Sequence, residues 1–122
     1  MNRHHQLGAA GEAAARAYLE RKGYRIRHCN WRRHHLELDI VAETPGRLVI
    51  VEVKTRASAR FSHPLEAVGY AKMRNLVNAA QAYIFAYDIH EEVQFDLMGL
   101  TPAPGGGFII EHIADAFFPP VC

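Results

Sequence analysis

The sequence predicts an α/β protein whose elements run in the order α-β-β-β-α-β-β. Strong helix formers fill residues 7–22, which indicates a first helix. Two segments rich in β-branched residues lie between residues 36 and 54 and are joined by a short turn, which predicts an antiparallel hairpin. Apolar residues then recur at helical spacing from Leu65 to about Tyr87, which predicts a second, longer helix.

The first helix, LGAAGEAAARAYLERK, is expected to end at Gly23, because glycine adopts the left-handed conformation of a helix cap at little cost. Residues Tyr24 to Arg27 alternate apolar and basic side chains. This alternation predicts a short first strand.

Residues 36–42, LELDIVA, predict the second strand. Its alternation places Leu36, Leu38 and Ile40 on one face and Glu37 and Asp39 on the other. The turn sequence TPGR leads into residues 48–54, LVIVEVK, which predict the third strand. This strand is apolar on both faces until Glu52, as expected of a central strand.

The second half of the chain predicts fewer elements. A polar loop is expected over residues 56–64, and the long helix that follows has a candidate break near Gly69. Residues 93–100 and Phe108 to Ile113 predict two strands, which are separated by a loop at residues 102–107. No internal repeat and no long linker interrupts the sequence, so we expect one domain over residues 1–122, with residues 1–6 as a flexible arm.

Composition is that of a soluble globular protein, with 49% hydrophobic and 22% charged residues. No apolar run approaches the roughly 18–20 residues that a membrane span requires. Residues 1–6 are polar, so we expect neither a secretory signal nor contact with a membrane. The two cysteines, Cys29 and Cys122, stand in no CxxC or other ligand spacing, which favours the reduced cytoplasm.

Charge is distributed unevenly along the chain, although the net charge is only +1. Residues 1–60 contain 12 Lys or Arg against 6 Asp or Glu, whereas residues 61–122 contain 2 against 7. A basic half points weakly to an anionic partner. Accidental clustering of charges on solvated faces explains the asymmetry equally well.

A carboxylate–lysine pattern falls on the predicted hairpin. Asp39 lies on its first strand, and Glu52 and Lys54 stand at alternate positions of its second strand, hence on one face. Two converging carboxylates can hold Mg²⁺ or Mn²⁺, which lowers the pKa of a bound water and neutralises phosphate charge. A neighbouring lysine can orient or deprotonate that water, or stabilise developing charge. A salt bridge on a solvated edge strand explains the same residues about as well, so spacing alone leaves both interpretations open.

Several motifs follow one another in order along the chain. They are Gly11-Glu12-x-x-Ala15, Gly23-Tyr24, Asn30-x-Arg32, Glu37-Leu38-Asp39-Ile40-Val41-Ala42, Val51-Glu52-Val53-Lys54-Thr55-Arg56, Ala67-Val68, Lys72, Ala80-x-x-Tyr83 and Phe95-Asp96. Together they resemble the YraN family, a bacterial family of uncharacterised proteins with a predicted PD-(D/E)XK, restriction-endonuclease-like fold. The resemblance extends from about Leu7 to Phe118, and archaeal Holliday junction resolvases look like more distant relatives within that fold. The chain departs from the family at Leu36, where a Gly usually precedes the Glu-x-Asp segment.

The resemblance implies a central mixed sheet flanked by helices. It implies that Asp39 and Glu52 ligate a metal and that Lys54 is the catalytic lysine, so these three are the expected catalytic residues. Glu12 is implied as a further carboxylate of the metal site, although the helix dipole also favours an acidic residue in a first turn. Glu37 is a candidate ligand that ranks below Asp39, because it can simply be the outward neighbour of that residue.

Basic residues near the predicted site can form a phosphate-contacting surface that binds nucleic acid without reading base sequence. The candidates are Arg32, Arg33, Arg56, Arg60, Lys72 and Arg74, with Arg25, Arg27 and Lys54 in the same basic stretches. Trp31 can stack on a base, although a lone tryptophan is more often part of the core. Asp96 either buttresses the site or has a buried structural role.

Other site classes find no support. The eight histidines show no zinc-ligand spacing. No nucleophile triad is visible, and the glycine run at residues 105–107 is not followed by the lysine of a phosphate-binding loop.

The expected function is therefore a Mg²⁺- or Mn²⁺-dependent endonuclease that hydrolyses phosphodiester bonds in DNA, including branched or damaged DNA, with DNA favoured over RNA. The alternative is a protein of nuclease fold that binds nucleic acid or a protein partner without cutting. The intact Asp39, Glu52 and Lys54 favour the enzyme. The short chain and modest net charge favour a helper role or a homodimer.

Overall fold

The computed structural model describes residues 3–57 and 69–117, with side chains from Gln6 onward. The elements in these ranges are α1 Arg3–Arg21, β1 Arg25–Arg33, β2 Leu36–Thr44, β3 Arg47–Thr55, α2 Tyr70–Tyr87, β4 Glu92–Pro102 and β5 Phe108–Ile113. The predicted fold class is confirmed: the protein is α/β, with a restriction-endonuclease-like mixed sheet flanked by helices and the element order α-β-β-β-α-β-β.

The five strands form one sheet in the order β1-β2-β3-β4-β5. Neighbouring strands are antiparallel except β3 and β4, which are parallel and are connected through α2. Leu48–Val51 are apolar and buried at every position, as a strand covered on both faces requires. The predicted β2–β3 hairpin and the central position of β3 are both confirmed.

The two helices cover opposite faces of the sheet, and each closes a hydrophobic cluster. The cluster on the α1 face consists of Ala15, Leu19, Ile40, Ala42, Val49, Val51, Met98 and Leu100. The cluster on the α2 face consists of Leu38, Val41, Leu48, Ile50, Leu76, Ala79, Ala80, Tyr83 and Phe95. Successive side chains of a strand point to opposite faces. Glu52 and Lys54 therefore follow Ile50 on the α2 face of β3, and Val53 and Thr55 follow Val51 on the α1 face.

Strand β2 departs from simple alternation. Leu38 belongs to the cluster on the α2 face, whereas Ile40 belongs to the cluster on the α1 face. The prediction that these two residues share a face is therefore wrong. They flank Asp39, the first residue beyond the pairing of β2 with β3. At this point the Asp39 side chain, instead of a main-chain group, accepts the hydrogen bond of the Val53 N–H on β3.

Strand β1 is longer than predicted and ends at Arg33 instead of Arg27. It is an edge strand with many exposed polar side chains, so it lacks the alternation that reveals a half-buried strand. A bulge lies between Ile26 and His28. Asn30 adopts a left-handed conformation with φ of 53°, which further interrupts the pattern.

Helix α2 begins at Tyr70 after Gly69, which supports the predicted break near that glycine. It ends at Tyr87, where Asp88 adopts a left-handed conformation and its N–H donates to the Ile84 carbonyl. Residues 58–68, which carry most of the predicted loop and the predicted start of the long helix, lie outside the described residues. Among the helices in the described ranges, none is long and apolar enough to cross a bilayer.

Candidate functional site

Asp39 and Glu52 meet where β2 and β3 separate, a place that we call the fork. The pairing of the two strands runs from Thr44–Arg47 to Ile40–Val51, and Asp39 and Glu52 are the next residues on each strand. Beyond that point, Asp39 Oδ2 accepts a hydrogen bond from the Val53 N–H at 2.9 Å. A side-chain carboxylate thus takes the place of a main-chain partner, which holds both acids at the fork.

The two carboxyl groups are close enough for Glu52 to raise the pKa of Asp39. Burial is the largest cause that raises the pKa of Asp39 to about 8, followed by the hydrogen bond and negative charge of Glu52 and by the charge of Glu12. The hydrogen bond from the Val53 N–H opposes the rise, because it favours the charged form. The neutral form of Asp39 is therefore favoured as long as no further cation binds beside it.

Lys72, in the first turn of α2, supplies a positive charge to this pair. Its Nζ lies 2.8 Å from Glu52 Oε2. The Glu52 side chain is 12% exposed and the Lys72 side chain is 53% exposed, so water reaches the ammonium far more than the carboxylate. The hydrogen bond to Glu52 is the main cause that raises the pKa of Lys72, burial opposes it, and the charges of Glu52, Asp39 and Glu37 add to it.

Lys54 follows Glu52 on the same face of β3, as the alternation predicts. Its side chain is exposed, and no hydrogen bond or ion pair joins it to the residues that the structure describes. The exposed ammonium is open to an incoming water or phosphate on the face of β3 that carries Glu52.

Helix α1 approaches the end of β3 at Gly11. A Cβ on this residue would lie 2.0 Å from Thr55 Oγ1, 2.8 Å from Thr55 Cγ2 and 2.9 Å from Thr55 Cβ. The approach therefore requires glycine at this position. It brings Glu12 beside the fork, where its charge helps to raise the pKa of Asp39. The Glu12 carboxylate itself accepts a hydrogen bond from Asn30 Nδ2 at 2.9 Å.

Glu37 lies near the start of β2. Its side chain is 53% exposed and forms an ion pair with Arg32 at 3.4 Å. It also lines a pocket of about 180 Å³ on the α2 side of the fork, whose lining residues are His35, Leu36, Glu37, Lys72, Asn75 and Leu76. Glu37 and Lys72 thus face a common space next to the carboxylate pair.

A family model described as uncharacterised protein family UPF0102 matches residues 11–100. The chain belongs to the UPF0102 family. The resemblance to the YraN family that the sequence motifs indicated is confirmed as membership of this family. The match begins at Gly11 and extends to Leu100 at the end of the β3–β4 pairing, so it includes every residue of the fork described above.

Relatives within the UPF0102 family are similar over nearly their whole length. The chain is 50% identical to a UPF0102 protein of Bacteroides thetaiotaomicron and 51% identical to one of Bacteroides fragilis, each over 121 residues and 99% of both chains. It is 43% identical over 114 residues to a UPF0102 protein of Nitratidesulfovibrio vulgaris, which covers 93% of this chain and 84% of that protein.

The donor set of this UPF0102 protein at the fork is a carboxylate pair. Among the described residues, no group of three or more His, Cys, Asp or Glu side chains is placed to hold a metal ion. Glu12 is engaged by Asn30, and the other candidate ligand, Glu37, forms its ion pair at the surface. Mg²⁺ in phosphoryl-transfer sites usually takes one or two carboxylates, keeps several waters and also binds substrate phosphate. Asp39 and Glu52 fit that donor set, whereas ligation by Glu12 and Glu37 stays a prediction.

The described nucleic-acid-binding candidates of the UPF0102 chain lie on β1 and α2 and directly after β3, and their contact with nucleic acid stays a prediction. Arg33 pairs with Leu36 at the end of the sheet where β3 also terminates. The described candidates are the exposed Arg32, Arg33, Lys72 and Arg74 and the half-buried Arg56, whereas Arg60 lies outside the described residues. The pairing of Lys72 with Glu52 was not predicted, because the two residues are far apart in sequence and no spacing connects them. The ordered motifs marked Lys72 but not its partner.

Asp96 forms a separate, buried acidic centre on the α1 face. Its carboxylate accepts hydrogen bonds from Tyr24 Oη at 2.9 Å, Gln94 Nε2 at 2.8 Å and the Asp115 N–H at 3.0 Å, and it lies 2.7 Å from His112 Nε2. Burial tends to raise the pKa of Asp96, but these four contacts outweigh burial and lower it. The network ties β4 to β5 and to the start of β1, which supports the structural interpretation of this residue.

Trp31 is half-buried within an aromatic group between β1 and α2. Its ring meets the Tyr83 ring edge-on, with centroids 5.2 Å apart, and its Nε1 donates to Tyr87 Oη at 3.3 Å. Tyr83 is fully buried, and its hydroxyl accepts a hydrogen bond from Arg27 Nε at 2.8 Å and lies 2.7 Å from His28 Nδ1. Trp31 therefore packs against the core of the UPF0102 fold, and base stacking by this residue stays a prediction.

Proposed function

We propose that this UPF0102 protein is a metal-dependent nuclease that hydrolyses phosphodiester bonds in DNA. The convergence of Asp39 and Glu52 at the fork, with Lys54 on the same face of β3 as Glu52, carries the proposal. Two neighbouring carboxylates in a half-buried place are costly unless a proton or a cation neutralises them. A solvated salt bridge on an edge strand would require neither burial nor the pairing of like charges, and β3 is the central strand.

Asp39 and Glu52 would hold the ion at the fork. Mg²⁺ or Mn²⁺, when bound, lowers the pKa of a water and neutralises charge on the scissile phosphate. Asp39 must lose its proton to act as a ligand, and the Val53 N–H favours that loss because it stabilises the carboxylate. Lys54 is exposed on the same face of β3 as Glu52, from where its ammonium would orient the attacking water or stabilise charge on the phosphorane. Only as the neutral amine would it deprotonate the water.

The proposed substrate is DNA with branches or damage, met in the cytoplasm. Exposed Arg and Lys side chains lie on β1, β3 and α2, and contacts from such side chains hold a phosphate backbone without reading its sequence. The resemblance to Holliday junction resolvases supports a branched substrate. A chain with one fork cuts one strand at a time, so paired cuts across a junction would require a homodimer.

The test is cleavage of linear, flapped, gapped and four-way-junction DNA with Mg²⁺ or Mn²⁺. Lys54→Met keeps much of the side-chain stem and removes the charge, so its fold should be retained. Loss of a general base or charge stabiliser should lower turnover by about 10²–10⁴-fold while DNA binding changes little. Lys22→Met is the matched control, because it removes an exposed lysine that directly follows the last residue of α1, and it should cleave like wild type.

The same measurements identify the alternative functions. The protein is a nucleic-acid binder that does not cut if two results coincide. Wild type cleaves no substrate with either metal, and Lys54→Met lowers the slope of log DNA affinity against log salt concentration by about one. If wild type neither cleaves nor binds DNA, a protein partner becomes the better explanation.

A further inference from the structure

The ion pair of Lys72 with Glu52 lies on one of the two carboxylates that would hold a metal. Lys72 Nζ is 2.8 Å from Glu52 Oε2, a distance at which the ammonium donates directly to that oxygen. A cation that ligates the same oxygen would lie beside this ammonium, and two positive charges at such a separation repel each other. Metal binding and the Lys72–Glu52 contact therefore compete.

The backbone of Lys72 is fixed, whereas its ammonium group is accessible to solvent. The residue lies in the first turn of α2, where the neighbouring Met73 N–H donates to the Gly69 carbonyl at 3.0 Å. The Lys72 side chain is 53% exposed, so its ammonium can leave Glu52 without disturbing the packed face of the helix. The pocket lined by Lys72, Glu37 and Asn75 opens next to the fork and offers space for the displaced ammonium group.

We propose that Lys72 is a built-in counter-ion of the fork: it neutralises Glu52 when no metal is bound, and a divalent cation displaces it, after which it contacts a phosphate of the nucleic acid. This inference rests on the proposed function. It gives the two lysines near the fork different tasks. Lys54, which has no partner among the described residues, serves the reaction, and Lys72 links occupancy of the metal site to capture of the phosphate backbone.

A purely structural role would make a different prediction. If Lys72 only fastened the start of α2 to β3, its loss would lower stability and leave metal affinity unchanged. A counter-ion that competes with the metal should instead weaken metal binding. An ion pair that is this exposed on one side changes an equilibrium by a factor of at most about five, so its removal should tighten metal binding about two- to fivefold.

The first experiment is a calorimetric titration of Mn²⁺ alone into wild type, Lys72→Met, Lys72→Arg and Arg74→Met at low ionic strength. Lys72→Met should bind Mn²⁺ about two- to fivefold more tightly than wild type, with a difference that shrinks as salt is added. Lys72→Arg retains the charge and should resemble wild type. Arg74 is an exposed residue two positions after Lys72 on α2. Arg74→Met removes one positive charge and leaves the Lys72–Glu52 ion pair in place, so it shows how much of the change in Mn²⁺ affinity is due to net charge alone. Thermal unfolding establishes that each variant is folded.

The second readout is DNA binding with and without Mn²⁺, measured by fluorescence anisotropy on a phosphorothioate duplex that resists cleavage. Metal should increase DNA affinity less in Lys72→Met than in wild type, because the variant has no lysine to release toward the phosphate. Equal or weaker Mn²⁺ affinity in Lys72→Met would overturn the counter-ion role and leave the nuclease proposal intact. Absence of Mn²⁺ binding in wild type and in every variant would remove the nuclease proposal, and the inference with it.

Discussion

Substitution of Gly11 by alanine tests how closely α1 must approach the fork. The added Cβ would lie 2.0 Å from Thr55 Oγ1 and 2.9 Å from Thr55 Cβ, so either the threonine or the helix must move. Overpacking of this kind costs about 1–3 kcal/mol. Alanine is also about 0.5–1 kcal/mol better than glycine inside a helix. The free energy of unfolding of Gly11→Ala should therefore fall by roughly 0–2.5 kcal/mol relative to wild type.

Gly8 provides the matched control on the same helix. A Cβ at Gly8 would meet nothing within 4 Å, so Gly8→Ala should raise the free energy of unfolding by about 0.5–1 kcal/mol. The difference between the two variants, about 1–3 kcal/mol, isolates the contact with Thr55. Thr55→Ala removes the Oγ1 and Cγ2 atoms but keeps the Cβ, so it should reduce the cost of Gly11→Ala without abolishing it.

Urea denaturation with linear extrapolation measures these free energies, with circular dichroism as the signal. Five proteins are needed: wild type, the two glycine variants, Thr55→Ala, and the Gly11→Ala/Thr55→Ala double variant that completes the cycle. Equal effects of Gly8→Ala and Gly11→Ala would refute the reasoning, because they would mean that α1 tolerates a side chain against the end of β3.

Three further substitutions, and Tyr87→Phe as a control for one of them, test individual side chains. Asp96→Asn should lower the free energy of unfolding by about 1.5–3 kcal/mol at pH 7. Because folding lowers the pKa of Asp96, this stabilisation is present above the normal carboxyl range and disappears in acid, so a pH-independent difference between variant and wild type would contradict the assignment. Asp39→Asn should be more stable than wild type at pH 8 and above. The folded-state pKa of about 8 lies above the normal value, so the free energy of unfolding of wild type should fall by up to about 1.4 kcal/mol per pH unit between about pH 4 and 8. Parallel curves of unfolding free energy against pH for the two proteins would exclude the raised pKa. Tyr83→Phe should cost about 1–3 kcal/mol because it leaves the Nε of the half-buried Arg27 without this acceptor. Tyr87→Phe, at a side chain that is 41% exposed, should change stability by less than about 0.5 kcal/mol, and similar losses in both variants would argue against a special role for the Tyr83 hydroxyl.

The central hairpin could be predicted because local patterns determine it. The apolar run Leu48–Val51 requires a strand covered on both faces, and the short turn before it leaves β2 only an antiparallel partner. Period-2 alternation then placed Glu52 and Lys54 on one face, which agrees with the cluster to which Ile50 belongs. The same reasoning failed for Leu38 and Ile40, because it assumes regular pairing and the pairing ends at Asp39.

Other features of the site depend on contacts that are distant in sequence. No local pattern connects Lys72 to Glu52, since the register of the helix start against β3 is set by the packing of α2. The close approach at Gly11 likewise depends on where Thr55 lies after the sheet has formed. The length of β1 was missed because an exposed edge strand with a bulge carries little periodic signal.

The parallel pairing of β3 with β4 has a consequence for biosynthesis. Both carboxylates of the fork lie on a hairpin that is complete at Thr55, whereas the strand that covers the other edge of β3 begins only at Glu92. A chain that emerges from the ribosome with its N-terminus first therefore carries Leu48–Val51 on an open strand edge until α2 and β4 have been made. Unpaired apolar edges of this kind recruit strands from other chains. The segment that carries the proposed chemistry is thus also the one most in need of protection while the protein is being synthesised.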